Sequence, residues 1–444
     1  MKFLERLNGL QLLIVSFAFV ILVGTVLLCL PFSSNSGQFT PFMDALFTAT
    51  SATCVTGLVV YDTASQFNFF GQLVILLLIQ IGGLGIITIV LGAMSAIGKK
   101  LNLKERSYIV DALGSFKLKD SKTFIKRVLL ITFSIELIGA LLLAIRFIPS
   151  FGFRQGSWFS LFYAVSAFCN AGFDLSGYYN PGTSLIRFRS DPLIVLTISF
   201  LIIIGGIGFI VLNDCVEHRF KLKKFSFHSK LVIYSTGFLL IISFLAFFFI
   251  ESSHSLQFMK LKEIVLNSWF AAVTPRTAGF NTVNIQTMSQ AGLLLTILLM
   301  FIGAAPGSTG GGFKINSSAI MLAGLKAYLS KKQSVNLLGY RIEQADLLKV
   351  FATIAMFLSV LALCSLLLTI HGVSITDAIF ECTSALSTVG LSTGITSSLT
   401  WDSKLALILL MFIGRVGSLS IFLAATKSYS SEKIKNPPAK ILIG

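Results

Sequence analysis

The sequence predicts an all-α integral membrane protein: four pseudo-symmetric helix–pore loop–helix repeats, with eight transmembrane helices and four re-entrant pore loops, around one central pore. Three observations predict it. Of the 444 residues, 55% are hydrophobic and only 12% are charged, with a mean hydropathy of +0.85, a makeup that belongs in a bilayer. Apolar stretches near the roughly 20 residues that a spanning helix needs cover 10–30, 72–97, 128–148, 192–215, 231–250, 290–327, 350–370 and 405–426. Four times, finally, a short run of small residues ends in glycine followed by Leu or Phe. These runs are Val55-Thr56-Gly57-Leu58, Asn170-Ala171-Gly172-Phe173, Thr277-Ala278-Gly279-Phe280 and Thr388-Val389-Gly390-Leu391, with glycines 115, 107 and 111 residues apart.

The first apolar stretch follows Lys2 and Arg6. It is too long for the apolar core of a signal peptide and lacks a small-residue cleavage pattern, so it reads as a retained helix. It opens repeat 1 (1–97). A basic linker (98–127) leads to repeat 2 (128–217), a second linker (218–230) to repeat 3 (231–327), and a third (328–346) to repeat 4 (347–427) and a tail (428–444). Of 35 Lys and Arg residues, 25 fall in these linkers and tails or within a few residues of them. By the positive-inside rule those segments and both termini face the cytosol, in a cell inner or plasma membrane. The net charge of +16 is thus a topology signal rather than a nucleic-acid footprint. The six cysteines show no CxxC spacing and the four histidines are mutually distant, so neither disulfides nor a bound transition metal is expected.

Alignment on the four glycines keeps the flanking side chains in register, as a true repeat requires. Ten residues before each stands an aromatic (Phe47, Phe162, Trp269, Phe380), and five before it a small residue (Ala52, Ala167, Thr274, Ala385). Six before it are Ser51, Ser166 and Ser384, with Val273 departing in the third repeat. Asp44 and Asp377 stand thirteen before the first and fourth glycines, where each would cap a short pore helix. Each segment is too short to span, and non-helical backbone at membrane depth is tolerated where it lines water. A second mark follows each glycine: Ile81-Gly82-Gly83-Leu84-Gly85, Ile204-Gly205-Gly206-Ile207-Gly208, Ile302-Gly303-Ala304-Ala305-Pro306 and Ile413-Gly414-Arg415-Val416-Gly417. Glycines there permit bends or close packing.

The chemistry these segments suit is cation dehydration. Rings of backbone carbonyls replace a hydration shell without a fixed charge, glycine supplies the backbone freedom, and pore-helix C-termini add partial negative charge. Thr388-Val389-Gly390 also matches the start of the TVGYG potassium filter. The absence of an acidic ring at the glycines disfavours a divalent-selective pore. Arg415 stands where the other repeats carry Gly83, Gly206 and Ala304. An intramembrane arginine is costly, so it reads as an electrostatic barrier below the filter; the alternative is a buried pair with Glu381 or Glu136. The run Gly303 to Lys314, through Pro306, Gly307, Ser308, Thr309, Gly310, Gly311 and Gly312, cannot remain a continuous helix. It fails the phosphate-loop pattern because Phe313 precedes Lys314, and reads as an intramembrane gate. Arg276 is placed to brace the third filter segment from behind, and Glu136 and Glu381 read as structural.

The chain resembles the Trk/Ktr/HKT superfamily of potassium and sodium transporters, and within it the bacterial Ktr membrane subunits. The resemblance runs over nearly the whole length and rests on Asp44 to Leu58, Ile79-Gln80-Ile81-Gly82-Gly83-Leu84-Gly85, Leu103-Lys104-Glu105-Arg106, Ala272 to Phe280, and Met411-Phe412-Ile413-Gly414-Arg415. It implies inward passage of potassium past Gly57, Gly172, Gly279 and Gly390, a gate at 303–314 and a barrier at Arg415. It also implies a homodimer in membrane lipid, regulated by a ring of separate cytosolic nucleotide-binding subunits, since no GxGxxG of its own stands between strand and helix. No organic cofactor is implied. Serine at the first filter glycine accompanies sodium permeation in this superfamily, so Gly57 favours potassium over a sodium-permeable or sodium-dependent variant of the fold. The glycine-rich gate containing Pro306 departs from relatives. An alternating-access carrier fits the fourfold repeat poorly, a voltage-gated channel would need an arginine-rich helix, and no catalytic constellation suggests an enzyme.

Overall fold

The computed structural model describes residues 9–85, 121–179 and 182–417. The basic segment 99–120, the Leu103-Lys104-Glu105-Arg106 motif, the inner end of the 72–97 stretch and the tail 428–444 lie outside these residues.

Among the described residues the regular structure is helical apart from one small hairpin, and the helices recur in the expected order. The first repeat comprises α1 (Gly9–Cys29), α2 (Phe42–Thr53) and α3 (Phe69–Leu84). The second has α4 (Ser121–Phe151), α5 (Phe153–Phe168), α6 (Pro192–Gly206) and α7 (Phe209–Glu217). The third has α8 (Phe227–Glu251), α9 (Leu261–Val273), α10 (Gln290–Phe301) and α11 (Ile315–Leu329). The hairpin pairs Asn336–Leu337 with Tyr340–Arg341, and the fourth repeat follows with α12 (Gln344–Ile370), α13 (Ile375–Leu386) and α14 (Trp401–Val416).

Within each repeat the long outer helix (α1, α4, α8, α12) packs on the short pore helix (α2, α5, α9, α13). Between repeats, the inner helix of one packs on the pore helix of the next: α3 on α5, α6 on α9, α10 on α13, and α14 back on α2. That last contact closes the ring. Aromatic and small side chains of the pore helices are fully buried at its centre, among them Phe47, Phe162, Phe270 and Phe380. The outer helices turn Phe19, Phe133, Phe249 and Leu363 outward, the apolar exterior of a protein whose surrounding solvent is lipid.

Four described helices are long and apolar enough to cross a membrane, namely the outer helix of each repeat, and a fifth crossing results if α6 and α7 are one broken span. The eight expected crossings are therefore not all continuous helices. The stretch 192–215, expected as one span, bends by 94° between α6 and α7. Its cause is tertiary: the free N–H of Phe209 is taken by the carbonyl of Gly307 at 2.9 Å, and Gly208 at φ 93° makes the turn. The stretch 290–327 is interrupted between α10 and α11, as the glycine run predicts. The stretches 72–97 and 405–426 are described only as far as 85 and 417.

The two aspartates expected as helix caps occupy other positions. Asp44 lies inside the first turn of α2, whose N-cap is Pro41. Asp377 lies in the first turn of α13, where Ser374 is the cap and accepts from the Asp377 N–H at 3.2 Å. A cap needs extended backbone at its own position, which both aspartates have left behind.

Candidate functional site

All four pore helices lead into the same pair of backbone states. Two residues before each glycine a non-glycine residue takes the left-handed conformation: Val55 (φ 58°), Asn170 (φ 58°), Thr277 (φ 68°) and Thr388 (φ 52°). The glycines also have positive φ, 93°, 71°, 77° and 91° for Gly57, Gly172, Gly279 and Gly390. A left-handed residue other than glycine costs roughly 1–2 kcal/mol. Four such positions at matching places are strain concentrated at one locus.

The glycines meet in a closed cycle. A Cβ added to Gly57 would lie 2.5 Å from the Ala171 carbonyl oxygen, one on Gly172 2.9 Å from that of Ala278, one on Gly279 2.7 Å from that of Val389, and one on Gly390 2.1 Å from that of Thr56. No side chain fits at any of the four. Val55-Thr56, Asn170-Ala171, Thr277-Ala278 and Thr388-Val389 are thereby gathered around one axis, all fully buried.

Hydroxyls fasten each loop. Ser51 and Ser384 accept from the N–H of Gly57 (3.1 Å) and Gly390 (3.0 Å), and Ser166 donates to the Phe173 carbonyl at 2.7 Å. In the third repeat this hydroxyl belongs to Thr274, which donates to the Phe280 carbonyl. The helix-ending turn is correspondingly shorter there: Ala278 N–H reaches back to Thr274, whereas Thr56, Ala171 and Val389 reach back to Ser51, Ser166 and Ser384. The third repeat thus has one residue fewer between the fastening hydroxyl and the glycine. Counting back from Gly279 without a gap therefore misassigns Val273 and Trp269, and Thr274 and the fully buried Phe270 are the true counterparts.

The second repeat mark receives a specific role. A Cβ on Gly82, Gly205 or Gly414 would stand 1.9 Å from the carbonyl oxygen of Thr53, Phe168 or Leu386. Each inner helix therefore rests its glycine on the last turn of its own pore helix. Gly303 instead faces the Gly311 carbonyl, because the third inner helix is broken there.

The run 303–314 folds back beneath the glycine cycle. Ile302 and Phe313 form a parallel bridge, and the Gly303 N–H donates to the Phe313 carbonyl at 2.7 Å. Ala305 and Thr309 donate their N–H groups to Gly206 and Gly205, while the Ser308 hydroxyl bonds Ala305 and that of Thr309 bonds Phe168. Gly310 and Gly311 lie against the hydroxyls of Thr277 and Thr388. Pro306 and Gly307 turn their carbonyls to Gly208, Gly312 packs on Ser387, and Lys314 Nζ donates to the Gly310 carbonyl at 2.8 Å. Arg415 donates to the carbonyls of Thr309 and Gly82, and to Gly83 at 3.4 Å, so it links this loop to α3.

Neither Glu381 nor Glu136 is Arg415's partner. Glu136 accepts from Gln80 Nε2 at 3.3 Å, and Glu381 from Ser392, Thr393 and Thr396. Arg276 is buried and donates to Thr236 Oγ1 of α8 at 3.1 Å, which ties the third glycine segment to an outer helix.

On the opposite side, a cavity of about 600 Å³ is lined by all four glycines and by Asp62 and Asp174, with no Lys or Arg among the described residues of its wall. Asp62 caps a short helix through the N–H groups of Ala64 and Ser65. Burial raises the Asp174 carboxyl above the usual carboxylate range, and Asp62 adds to the rise against hydrogen bonds from Ser176. An acidic mouth concentrates cations. Neither aspartate was singled out from the sequence, where nothing marks them as facing one cavity.

The TrkH family model, described as cation transport protein, matches residues 4–436. The chain is 39% identical to the potassium/sodium uptake protein NtpJ of Enterococcus hirae, over 99% of this chain and 98% of that one. It is 40% identical to the Ktr system potassium uptake protein B of Bacillus subtilis, over 98% and 96%. In fold it is similar to the crystal structure of the potassium transporter TrkH from Vibrio parahaemolyticus, with a TM-score of 0.76 over 94% of this chain and 85% of that one, at 18% identity. A glycine cycle inside a ring of lipid-facing helices and a family match over almost the whole length agree: this chain belongs to the TrkH family of cation transport proteins, multi-pass membrane transporters and not enzymes.

Proposed function

We propose that this chain is the ion-translocating membrane subunit of a potassium uptake system. Monovalent cations enter from the acidic mouth, shed water in a filter formed by Val55–Gly57, Asn170–Gly172, Thr277–Gly279 and Thr388–Gly390, and leave to the cytosol. The observation that carries this reading is the closed cycle of four positive-φ glycines, because a ring of backbone is the means by which a single chain coordinates a bare cation on all sides. K+ is the cargo at Gly57, Gly172, Gly279 and Gly390. The names of two relatives, potassium uptake protein B and potassium transporter TrkH, support that choice, as does glycine rather than serine at position 57. A sodium-permeable variant is the second reading, favoured by the potassium/sodium name of NtpJ.

Transport is passive, since each 100 mV of negative interior potential contributes about 2.3 kcal/mol per monovalent cation. The loop 303–314 is the gate, held beneath the filter by bonds to α6 and by Arg415, which also acts as the electrostatic barrier. Termini and basic linkers face the cytosol. There a nucleotide-binding ring of separate subunits acts on a homodimer of this chain and moves the gate.

Uptake in potassium-starved cells lacking their own potassium systems tests the proposal, with the parent compared with Gly57→Ser. Potassium rescue by the parent and sodium entry through the variant are expected. No cation uptake by the parent, with its cytosolic partner supplied, overturns the reading.

A further inference from the structure

We propose that Glu381 is a positioning residue for cation selectivity, clamping the wall of the outer mouth to the fourth pore helix; the inference rests on the transport reading above. Glu381 lies in α13, is fully buried and stands nine residues before Gly390. All of its hydrogen bonds go to one short segment just beyond that glycine. Its Oε1 accepts from the Ser392 hydroxyl and, at 3.1 Å, from the Thr393 N–H, and its Oε2 accepts from the Thr396 hydroxyl at 3.1 Å.

The segment is held from its other side as well. Gln286, which follows the third filter glycine in the chain, donates from Nε2 to the Thr393 carbonyl at 2.7 Å. Gly394, at φ 93°, leaves room for that amide, because a Cβ there would lie 2.7 Å from it. Ser392, Thr393, Gly394, Thr396 and Gln286 all line the cavity that the four glycines share. Ser392 is two residues from Gly390, so a displacement of the clamped segment passes directly into the filter backbone. Counted from the loop-fastening hydroxyl, the same helix position is Thr48, Tyr163 and Ala271 in the other repeats, so the carboxylate is confined to the fourth.

Two properties separate this role from general structural support. Glutamine at 381 reproduces every bond: its carbonyl accepts from Ser392 and Thr393, and its amide donates to the Thr396 hydroxyl. Alanine reproduces none. The experiment measures the ratio of potassium to sodium uptake in proteoliposomes, together with amide hydrogen exchange of the segment 391–398, for the parent, Glu381→Gln and Glu381→Ala. The ratio is expected to fall about tenfold in Glu381→Ala, as small displacements of coordinating groups cost such factors, with faster exchange at 391–398. Glu381→Gln is expected to keep both near parental values.

A parental ratio in Glu381→Ala overturns the proposal, and so does a Glu381→Gln variant as impaired as alanine, which would make charge rather than geometry the active property. If Glu381→Ala does not fold, Ser392→Ala and Thr396→Val remove the bonds from the other partner and carry the same expectation. A parent that transports neither cation with its cytosolic partner supplied overturns the transport reading and the selectivity role with it. Unchanged exchange in the alanine variant overturns the clamp independently of transport.

Discussion

Lys404 of α14 and Asp44 of α2, 360 residues apart in the chain, form an ion pair of 2.8 Å between Nζ and Oδ1. Only 13% and 11% of their side chains are exposed. The other Asp44 oxygen accepts from the Tyr61 hydroxyl at 2.8 Å, so the carboxylate is satisfied on both sides. This pair lies where the last repeat meets the first. Removing one partner of a buried pair leaves an uncompensated charge and costs about 3 kcal/mol or more, whereas replacing both by apolar groups is close to neutral. Asp44→Leu is therefore expected to lower the thermal unfolding midpoint in detergent, and Asp44→Leu/Lys404→Met to recover most of the loss. A single variant as stable as the parent would show that the seam does not depend on this pair.

The inner-helix glycines predict a graded stability series. A methyl group at Gly82, Gly205 or Gly414 would be forced to 1.9 Å from a backbone oxygen of the pore helix, and the helices must separate to admit it. Overpacking of this kind costs about 1–3 kcal/mol. Gly237 of α8 has no atom within 4 Å of an added Cβ, and alanine there is expected to stabilise by up to about 1 kcal/mol through helix propensity. Unfolding midpoints of the four alanine variants check the contrast. Equal midpoints across the series would remove the close-approach role.

What was legible in the sequence was whatever the backbone requires of residue type. Gly57, Gly172, Gly279 and Gly390 could be aligned because each occupies a conformation, and a contact, that excludes a side chain. Arg415 and the run Gly310-Gly311-Gly312 stood out because neither suits a plain membrane helix. The missing residue before Gly279 was invisible to a gapless count, since Val273 and Trp269 are themselves apolar and fit a buried helix. The 94° bend was equally hidden: Gly205-Gly206 only permits a break, and the carbonyl of Gly307, about a hundred residues away, imposes it. Asp44 could not be separated from a helix cap by its local sequence, because its partner is supplied by the last repeat.

Two glycines of the proposed gate lie against hydroxyls. A Cβ on Gly310 would come within 2.1 Å of Thr277 Oγ1, and one on Gly311 within 2.3 Å of Thr388 Oγ1. Alanine at either position is expected to displace the loop from beneath the glycine cycle. Gly310→Ala, Gly311→Ala and shortening of 308–312 are each expected to give uptake that no longer responds to the regulatory partner. Normal regulation in all three, with the protein folded, would reject 303–314 as the gate.

Arg415 makes two contributions, one of contact and one of charge, that act in the same direction on the proposed reading. Its guanidinium donates to Thr309 in the loop and to Gly82 in α3; on the proposed reading this fastens the gate, and its charge below the filter raises the energy of an approaching cation. Both contributions restrain flux. Arg415→Ala removes them together and is expected to raise rubidium uptake about tenfold at equal surface expression, equivalent to about 1.4 kcal/mol of barrier. Arg415→Lys keeps the charge but loses the fork that reaches two backbone segments at once. Lysine is therefore expected to restore low flux if the charge dominates, and to behave like alanine if the fastening dominates. A lower rate in Arg415→Ala would mean that the arginine holds the pore open, and both contributions would then have been assigned the wrong sign.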